Sequence, residues 1–182
     1  MKIATRTWRF AATATVLAGG VSALFLSPAF SSSPSALGPV NNCTASQLHV
    51  THGPVTAGFM PEGRKLTTPI IFTNSGPACA IWGVPSVQTV VGSNHAAVGG
   101  LAKNLSMGEM GVRHVVKTGG TVSAKFTDSV YFSLATCHVT NADGIVVTLG
   151  GFSSPSYVAM SMTVCTGVTG TTTQLITAGS AG

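Results

Sequence analysis

Apolar and polar residues alternate with a period of two through most of the chain beyond Cys43, and this feature limits the fold more than any other. Val122, Ala124 and Phe126 alternate with polar residues, and Val and Met repeat the pattern over residues 158–164. A period of two places alternate side chains on one face of a strand. No window of ten or more residues after Cys43 carries a helical apolar stripe free of Gly, Pro or β-branched residues. The sequence therefore predicts an all-β fold.

Short turn sequences separate the apolar segments. HGP, NSGP, VGSN, KTGG and NADG all combine residues that favour turns. Seven or eight short strands at this spacing indicate an antiparallel β-sandwich. Residues 99–111 lack the alternation and predict a long loop. The predicted strands are 47–55, 66–73, 86–91, 112–116, 122–127, 130–134, 145–149 and 158–164.

Residues 1–31 have the layout of a secretory signal peptide. A basic start, MKIATRTWR, precedes an apolar stretch and then small residues in SPAFSSSPSA. We expect cleavage after Ser31, with cuts after Ala29 or Ala36 as alternatives. The competing interpretation is an uncleaved membrane anchor over residues 10–30, because a bilayer span needs about 20 residues. Its glycines and many small residues favour the signal peptide.

The exported part is predicted to have three segments. Residues 32–42 form a Ser/Pro-rich linker with no apolar pattern of its own, and residues 43–168 form the β-sandwich domain. The polar residues that follow, 169–182, are predicted to be a flexible tail.

The positive charge of the chain is concentrated at its start. The formal net charge is +5, but Lys2, Arg6 and Arg9 lie in the predicted signal peptide. The remainder has six basic and four acidic residues, a net charge of +2. Such a balance excludes the strongly basic surface of a nucleic-acid-binding protein.

Four cysteines, all in the exported part, predict two disulfides, since an even count is typical of chains in oxidising compartments. A catalytic thiol needs a cationic or helix N-terminal setting. Cys79 instead follows a Gly-Pro turn and has apolar neighbours. We therefore expect each cysteine to be structural. The four are Cys43, Cys79, Cys137 and Cys165.

The segment FTNSGPACAIWGVPSV, residues 72–87, contains a T-N-x-G-x-x-C-x-(I/L)-x-G-x-P string around Asn74 and Cys79. With the later VKTGGTVSAKF and two further cysteines, residues 43–165 resemble the actinobacterial secreted domain of unknown function 4232. The resemblance implies an immunoglobulin-like sandwich of exported proteins, without an established activity. Of three possible disulfide pairings, the one that fits the family joins sequence neighbours, Cys43 with Cys79 and Cys137 with Cys165.

A metal site is the alternative hypothesis. Met107, Met110 and His114 lie in one predicted loop, and thioether and imidazole groups suit Cu(I). Methionines also fill gaps beneath loops without binding a metal. His49 and His52 are three residues apart, so a strand would place them on opposite faces. We expect no tight metal site and no cofactor.

Signatures of hydrolases are absent from the sequence. Residues 151–155, GFSSP, lack the second glycine of a nucleophile elbow. The exported part has only four acidic residues, whereas a glycosidase needs two carboxylates in one cleft. Asp128 and Asp143 are interpreted as turn residues. We therefore expect no catalytic residues.

These observations predict a secreted or cell-envelope protein that acts as a non-enzymatic binding or interaction module. A surface with few charges, rich in Thr, Ser and Gly, suits a cell-wall or envelope component or another protein better than a nucleic acid. The alternative function is an extracytoplasmic copper-handling protein that uses the Met107, Met110 and His114 loop.

Overall fold

The computed structural model describes residues 39–152 and 154–180. The predicted signal peptide, residues 1–31, and residues 32–38 of the predicted linker lie outside this part. A short 3-10 turn at Ala45–Gln47 precedes twelve strands. The strands are β1 (Leu48–His52), β2 (Thr56–Met60), β3 (Gly63–Asn74), β4 (Cys79–Ile81), β5 (Ser86–Val91), β6 (Ala96–Ala97), β7 (Lys103–Asn104), β8 (His114–Val116), β9 (Thr121–Tyr131), β10 (Val139–Thr148), β11 (Ser156–Cys165) and β12 (Thr171–Ala178).

The largest sheet is built around the long strands β3 and β9. They pair antiparallel along their length, from Gly63 opposite Tyr131 to Thr73 opposite Thr121. β1 and β2 both pair with the other side of β3, one with each half of the strand. β12 pairs antiparallel with β9, and the short β7 pairs parallel with β12. The order β1-β3-β9-β12-β7 thus puts β9 inside the sheet, with neighbours on both sides.

A second sheet has the order β11-β10-β5-β6, and its three strand pairings are antiparallel. A β-bulge in the pairing of β10 with β11 shifts the register between Ala142 and Gly144, where one residue of β10 lies opposite two of β11. The third sheet is the short antiparallel pair of β4 and β8. An all-β fold with mostly antiparallel sheets, as the alternation predicted, is confirmed for the described residues.

One apolar cluster joins the two large sheets. Ile70, Phe72 and Phe126 come from the first sheet, and Ile145 and Val158 from the second, and all are buried. Each belongs to the alternating set of its strand, so the period of two decides which side chains are buried together. Within residues 39–152 and 154–180, no helix is long and apolar enough to cross a bilayer.

Asn74 explains the TNSGP part of the sequence motif. Its side chain is fully buried, and its Nδ2 donates to the carbonyl oxygens of Pro77 and Val116, each at 2.9 Å. Its Oδ1 accepts a hydrogen bond from the backbone N–H of Gly76. An Asn that bonds the backbone two residues on sets a tight turn. The turn places Cys79 at the start of β4.

The predicted disulfides, Cys43–Cys79 and Cys137–Cys165, are confirmed, and none of the four cysteines is free. In each the Cα atoms are 4.8 Å apart, inside the usual range for a disulfide. The first joins the segment before β1 to β4. The second closes the open end of the β10–β11 hairpin, where Val139 pairs with Cys165. Two disulfides indicate an oxidising, extracytoplasmic compartment.

Two predictions about chain organisation are wrong. In the predicted flexible tail, 169–182, residues Thr171–Ala178 form β12 inside the largest sheet, where Thr171, Thr173 and Ile176 are buried. Residues 130–134 are not a separate strand, because β9 runs without interruption through Tyr131.

Candidate ligand-binding site

Asp128 lies in the middle of β9, where the sequence predicted a turn, and that prediction is wrong. Val122, Ala124 and Phe126 face the core, and the period of two places Asp128 on the same face. It pairs with Leu66 on one side and with Thr171 on the other. Neighbouring strands on both sides keep the backbone extended, so the turn preference of Asp is overridden. The side chain is only 1% exposed.

Neither carboxylate oxygen of Asp128 has a hydrogen-bond partner among the residues that the structure describes. Burial raises the pKa of this carboxyl from its ordinary value of 3.8 to about 6, and the positive charge of Arg64 partly opposes the rise. A buried carboxylate without partners is costly, because it has lost its hydration without gaining hydrogen bonds. Asp128 is therefore the side chain in the described core that most needs an external partner.

Arg64 is the cation nearest to this carboxyl in the sheet. It pairs with Val130 while Leu66 pairs with Asp128, so Arg64 and Asp128 are diagonal neighbours on one face. The Cβ atoms of such diagonal neighbours lie roughly 7 Å apart, within reach of a long side chain. The Nε of Arg64 is buried and also lacks a hydrogen-bond partner. The two opposite charges therefore lie side by side without a hydrogen bond between them.

Two adjoining cavities open beside these side chains, and together we call them the Arg64–Asp128 cleft. The inner cavity, about 20 Å³, is lined by Asp128 together with apolar residues such as Phe126 and Met160. The outer cavity, about 440 Å³, is lined by Arg64 and by polar residues of the second sheet. Leu66, Ser161 and Met162 line both cavities, so the two cavities adjoin at these residues.

The rim of the outer cavity is polar. It includes Asn141, Asp143, Ser161 and Thr163, and the hydroxyl of Thr163 donates to Asn141 Oδ1 at 3.5 Å. Asp143, which the sequence analysis interpreted as a turn residue, lies in β10 at the bulge, and its Oδ2 accepts from the backbone N–H of Gly92. A concave site with an apolar floor and a few convergent polar groups is typical of small-molecule sites.

A separate cavity outside the cleft, about 130 Å³, lies beside the Cys43–Cys79 disulfide and is lined by Trp82, Phe152 and Cys43. Trp82 is partly exposed, and the guanidinium carbon of Arg113 lies 5.8 Å from the centre of its ring. Arg113 also donates to the carbonyl of Val40. Every buried polar side chain without a partner in the described residues lies elsewhere. The Arg64–Asp128 cleft is therefore the stronger candidate.

The residues of the copper hypothesis lie in a strand and in the loop before it. His114 lies in β8 and its Nε2 is 3.0 Å from the carbonyl oxygen of Ile176, whereas Met107 and Met110 are more than 80% exposed. The described part of the chain contains no group of three or more His, Cys, Asp or Glu that could hold a metal ion. His49 and His52 both lie in β1.

Comparisons of the chain with models of protein families, with curated proteins and with solved structures find no match.

The sequence analysis missed both charged residues of the cleft, although a signal for them exists. Extending the alternation of β9 by one step from Phe126 reaches Asp128, and extending that of β3 back from Leu66 reaches Arg64. A charged residue that continues an apolar alternation marks a buried position, and buried charges are rare unless they are paired. This pattern was available in the sequence and points to the cleft.

Proposed function

We propose that this protein is an extracytoplasmic, non-enzymatic binding module that holds its ligand in the Arg64–Asp128 cleft. The observation that carries the proposal is the buried Asp128 carboxyl, whose two oxygens lack partners at the floor of a cleft. Perturbed titratable groups in clefts are enriched at functional sites. A bound ligand would supply the missing hydrogen bonds.

We further propose that the fold is an immunoglobulin-like sandwich of the domain of unknown function 4232 family. Support comes from the cluster of buried residues that both large sheets share, and from the two disulfides between sequence neighbours. The TNSGPAC string has a structural role in the turn before β4, which fits its place in the family resemblance.

The composition of the cleft favours binding over catalysis. Among the described residues that line its two cavities there is no Cys, His or Lys, so Ser161 and Thr163 have no imidazole in the cleft to activate a hydroxyl as a nucleophile. Its two carboxyls, Asp128 and Asp143, line different cavities. The partner that we propose is a component of the cell wall or envelope, since the disulfides indicate an oxidising location.

The test is retention of the purified, oxidised protein by isolated cell envelopes of the source organism. We expect Arg64→Gln and Asp128→Asn to reduce retention at least severalfold. Lys65→Gln is the matched control, because it removes the same charge from an exposed neighbour in the same strand. Equal retention of the cleft variants and the control, with all of them folded, would contradict the proposal.

A further inference from the structure

The cleft carries two opposite charges that do not satisfy one another, and this arrangement indicates what kind of ligand fits. Resting on the proposed binding function, we propose that the cleft binds the α-ammonium and α-carboxylate groups of an amino acid carried by an envelope component, with the ammonium group at Asp128 and the carboxylate at Arg64. Three features of the cleft support this assignment: the size of the inner cavity, the buried and unpartnered Nε of Arg64, and the placement of Arg64 and Asp128 as diagonal neighbours.

The inner cavity fits an ammonium group. Its volume is about 20 Å³, whereas roughly 10–15 Å³ is enough for one water molecule. An ammonium group is of similar size and offers three donors. The two unpartnered oxygens of Asp128 are acceptors at this position. A nearby positive charge also favours the ionised carboxylate over the protonated form.

Arg64 is placed for the ligand carboxylate. A guanidinium presents its N–H groups as a planar fork that matches a carboxylate, and its Nε is buried here without a partner. Arg64 lines the outer cavity, whose volume of about 440 Å³ is within the range of small-molecule sites. That cavity leaves room for the amino-acid side chain beside the polar rim.

The spacing of the charges argues against ligands with a single charge. A lone anion at Arg64 would lie near the carboxylates of Asp128 and Asp143, and a lone cation at Asp128 would lie near Arg64. Both situations bring like charges together. An α-amino acid instead carries both charges, about 2.5 Å apart from nitrogen to carboxyl carbon, so each charge of the cleft can face a group of opposite sign.

The experiment is isothermal titration of the purified, oxidised protein at neutral pH with each of the common amino acids. We expect saturable binding of at least one of them, with a Kd of about 1 mM or tighter. The best ligand is then compared with its C-terminal amide, which lacks the carboxylate, and with its N-acetyl form, which lacks the ammonium group. Each should bind at least tenfold more weakly.

Variants assign the two ends of the ligand. Arg64→Gln should weaken binding of the amino acid but not that of its cationic amide, because the variant removes the like charge that opposes the amide. Asp128→Asn should likewise weaken binding of the amino acid but not that of its anionic N-acetyl form, and Lys65→Gln should alter neither. Absence of saturable binding by any amino acid would overturn the inference, as would an amide or N-acetyl form that binds as tightly as the parent. If either result is obtained while retention by cell envelopes still depends on Arg64, the ligand assignment fails but the proposed binding function stands.

Discussion

Replacing Asp128 by Asn should make the protein increasingly stable relative to wild type as the pH rises from 4 to 8, although it removes a buried, charged side chain. The pKa of the wild-type carboxyl is raised to about 6 in the folded protein from an ordinary value of 3.8. Between these values the folded state holds a proton that the unfolded state has released. The stability that the group contributes is therefore complete below about pH 4 and is lost as the pH rises through 6.

The size of this loss follows from the shift. The rise of the pKa from 3.8 to about 6 corresponds to about 3 kcal/mol of unfolding free energy, at 1.36 kcal/mol for each pKa unit. The groups that face Asp128 do not cancel it. Arg64 on β3 is the one cation that opposes the rise, the neighbouring β11 and β12 contain no charged residue, and β10 contributes only the acidic Asp143.

The Asn side chain has nearly the same shape as a protonated Asp but carries no charge at any pH. Any difference in packing between the amide and the acid is independent of pH and appears as a constant offset. We therefore expect the free energy of unfolding of Asp128→Asn, relative to wild type, to increase by about 3 kcal/mol between pH 4 and pH 8. The increase, rather than the offset, is the quantity predicted.

Urea denaturation of both proteins across this pH range, with the disulfides intact, measures the difference directly. Glu109→Gln serves as the control, since it removes an exposed carboxylate from a loop, and its profile should follow that of wild type. Parallel profiles for Asp128→Asn and wild type would refute the reasoning. A variant that loses stability relative to wild type as the pH rises would show instead that Asp128 and Arg64 form a stabilising ion pair.

Three further outcomes are expected. Asn74→Ala should lower the free energy of unfolding by about 3 kcal/mol, because it removes three hydrogen bonds of a buried side chain. Thermal or urea denaturation measures the loss, and a much smaller effect would show that other residues set the turn. Replacing Cys137 and Cys165 together by Ser should cost roughly 3.5 kcal/mol on the loop-closure argument for a sequence separation of 28, and an unchanged urea midpoint would contradict it. Anaerobic titration with Cu(I) against a competing chelator should find no submicromolar site, whereas tight binding that is lost in Met107→Ala and His114→Ala would establish the copper alternative.

The part of the fold that was predictable from sequence is the part in which apolar residues occupy every second position. β5 was predicted with its observed bounds, and the core of β11 follows from the alternation of Val and Met. The two-residue strands β6 and β7 are too short to show a period. They exist because longer strands offer free edges for pairing, which is a property of the folded sheet.

β12 escaped prediction for a different reason. Its buried positions include Thr171 and Thr173, whose side chains carry no apolar signal in the sequence. An irregularity between Thr173 and Ile176 then shifts the register, so the next buried residue comes three positions later. A period of two cannot be recognised across such a shift. The polar composition of residues 169–182 suggested a tail, whereas the edge of β9 provides the hydrogen bonds that order them.

The candidate site was missed because the turn propensity of Asp and the apolar alternation of β9 predict different structures at Asp128. The free-energy cost of burying this carboxylate is itself informative. The chain has only four acidic residues, and one of them occupies a core position that costs about 3 kcal/mol at neutral pH. That cost is a large fraction of the roughly 5–15 kcal/mol by which a domain is stable. Each disulfide contributes a comparable amount on the loop-closure argument, so the fold can tolerate an unpaired buried charge. An apolar residue at this position would continue the alternation of β9 and fill the inner cavity, so packing alone does not account for the carboxyl. Binding of a ligand ammonium group would account both for the charge and for the cavity in front of it.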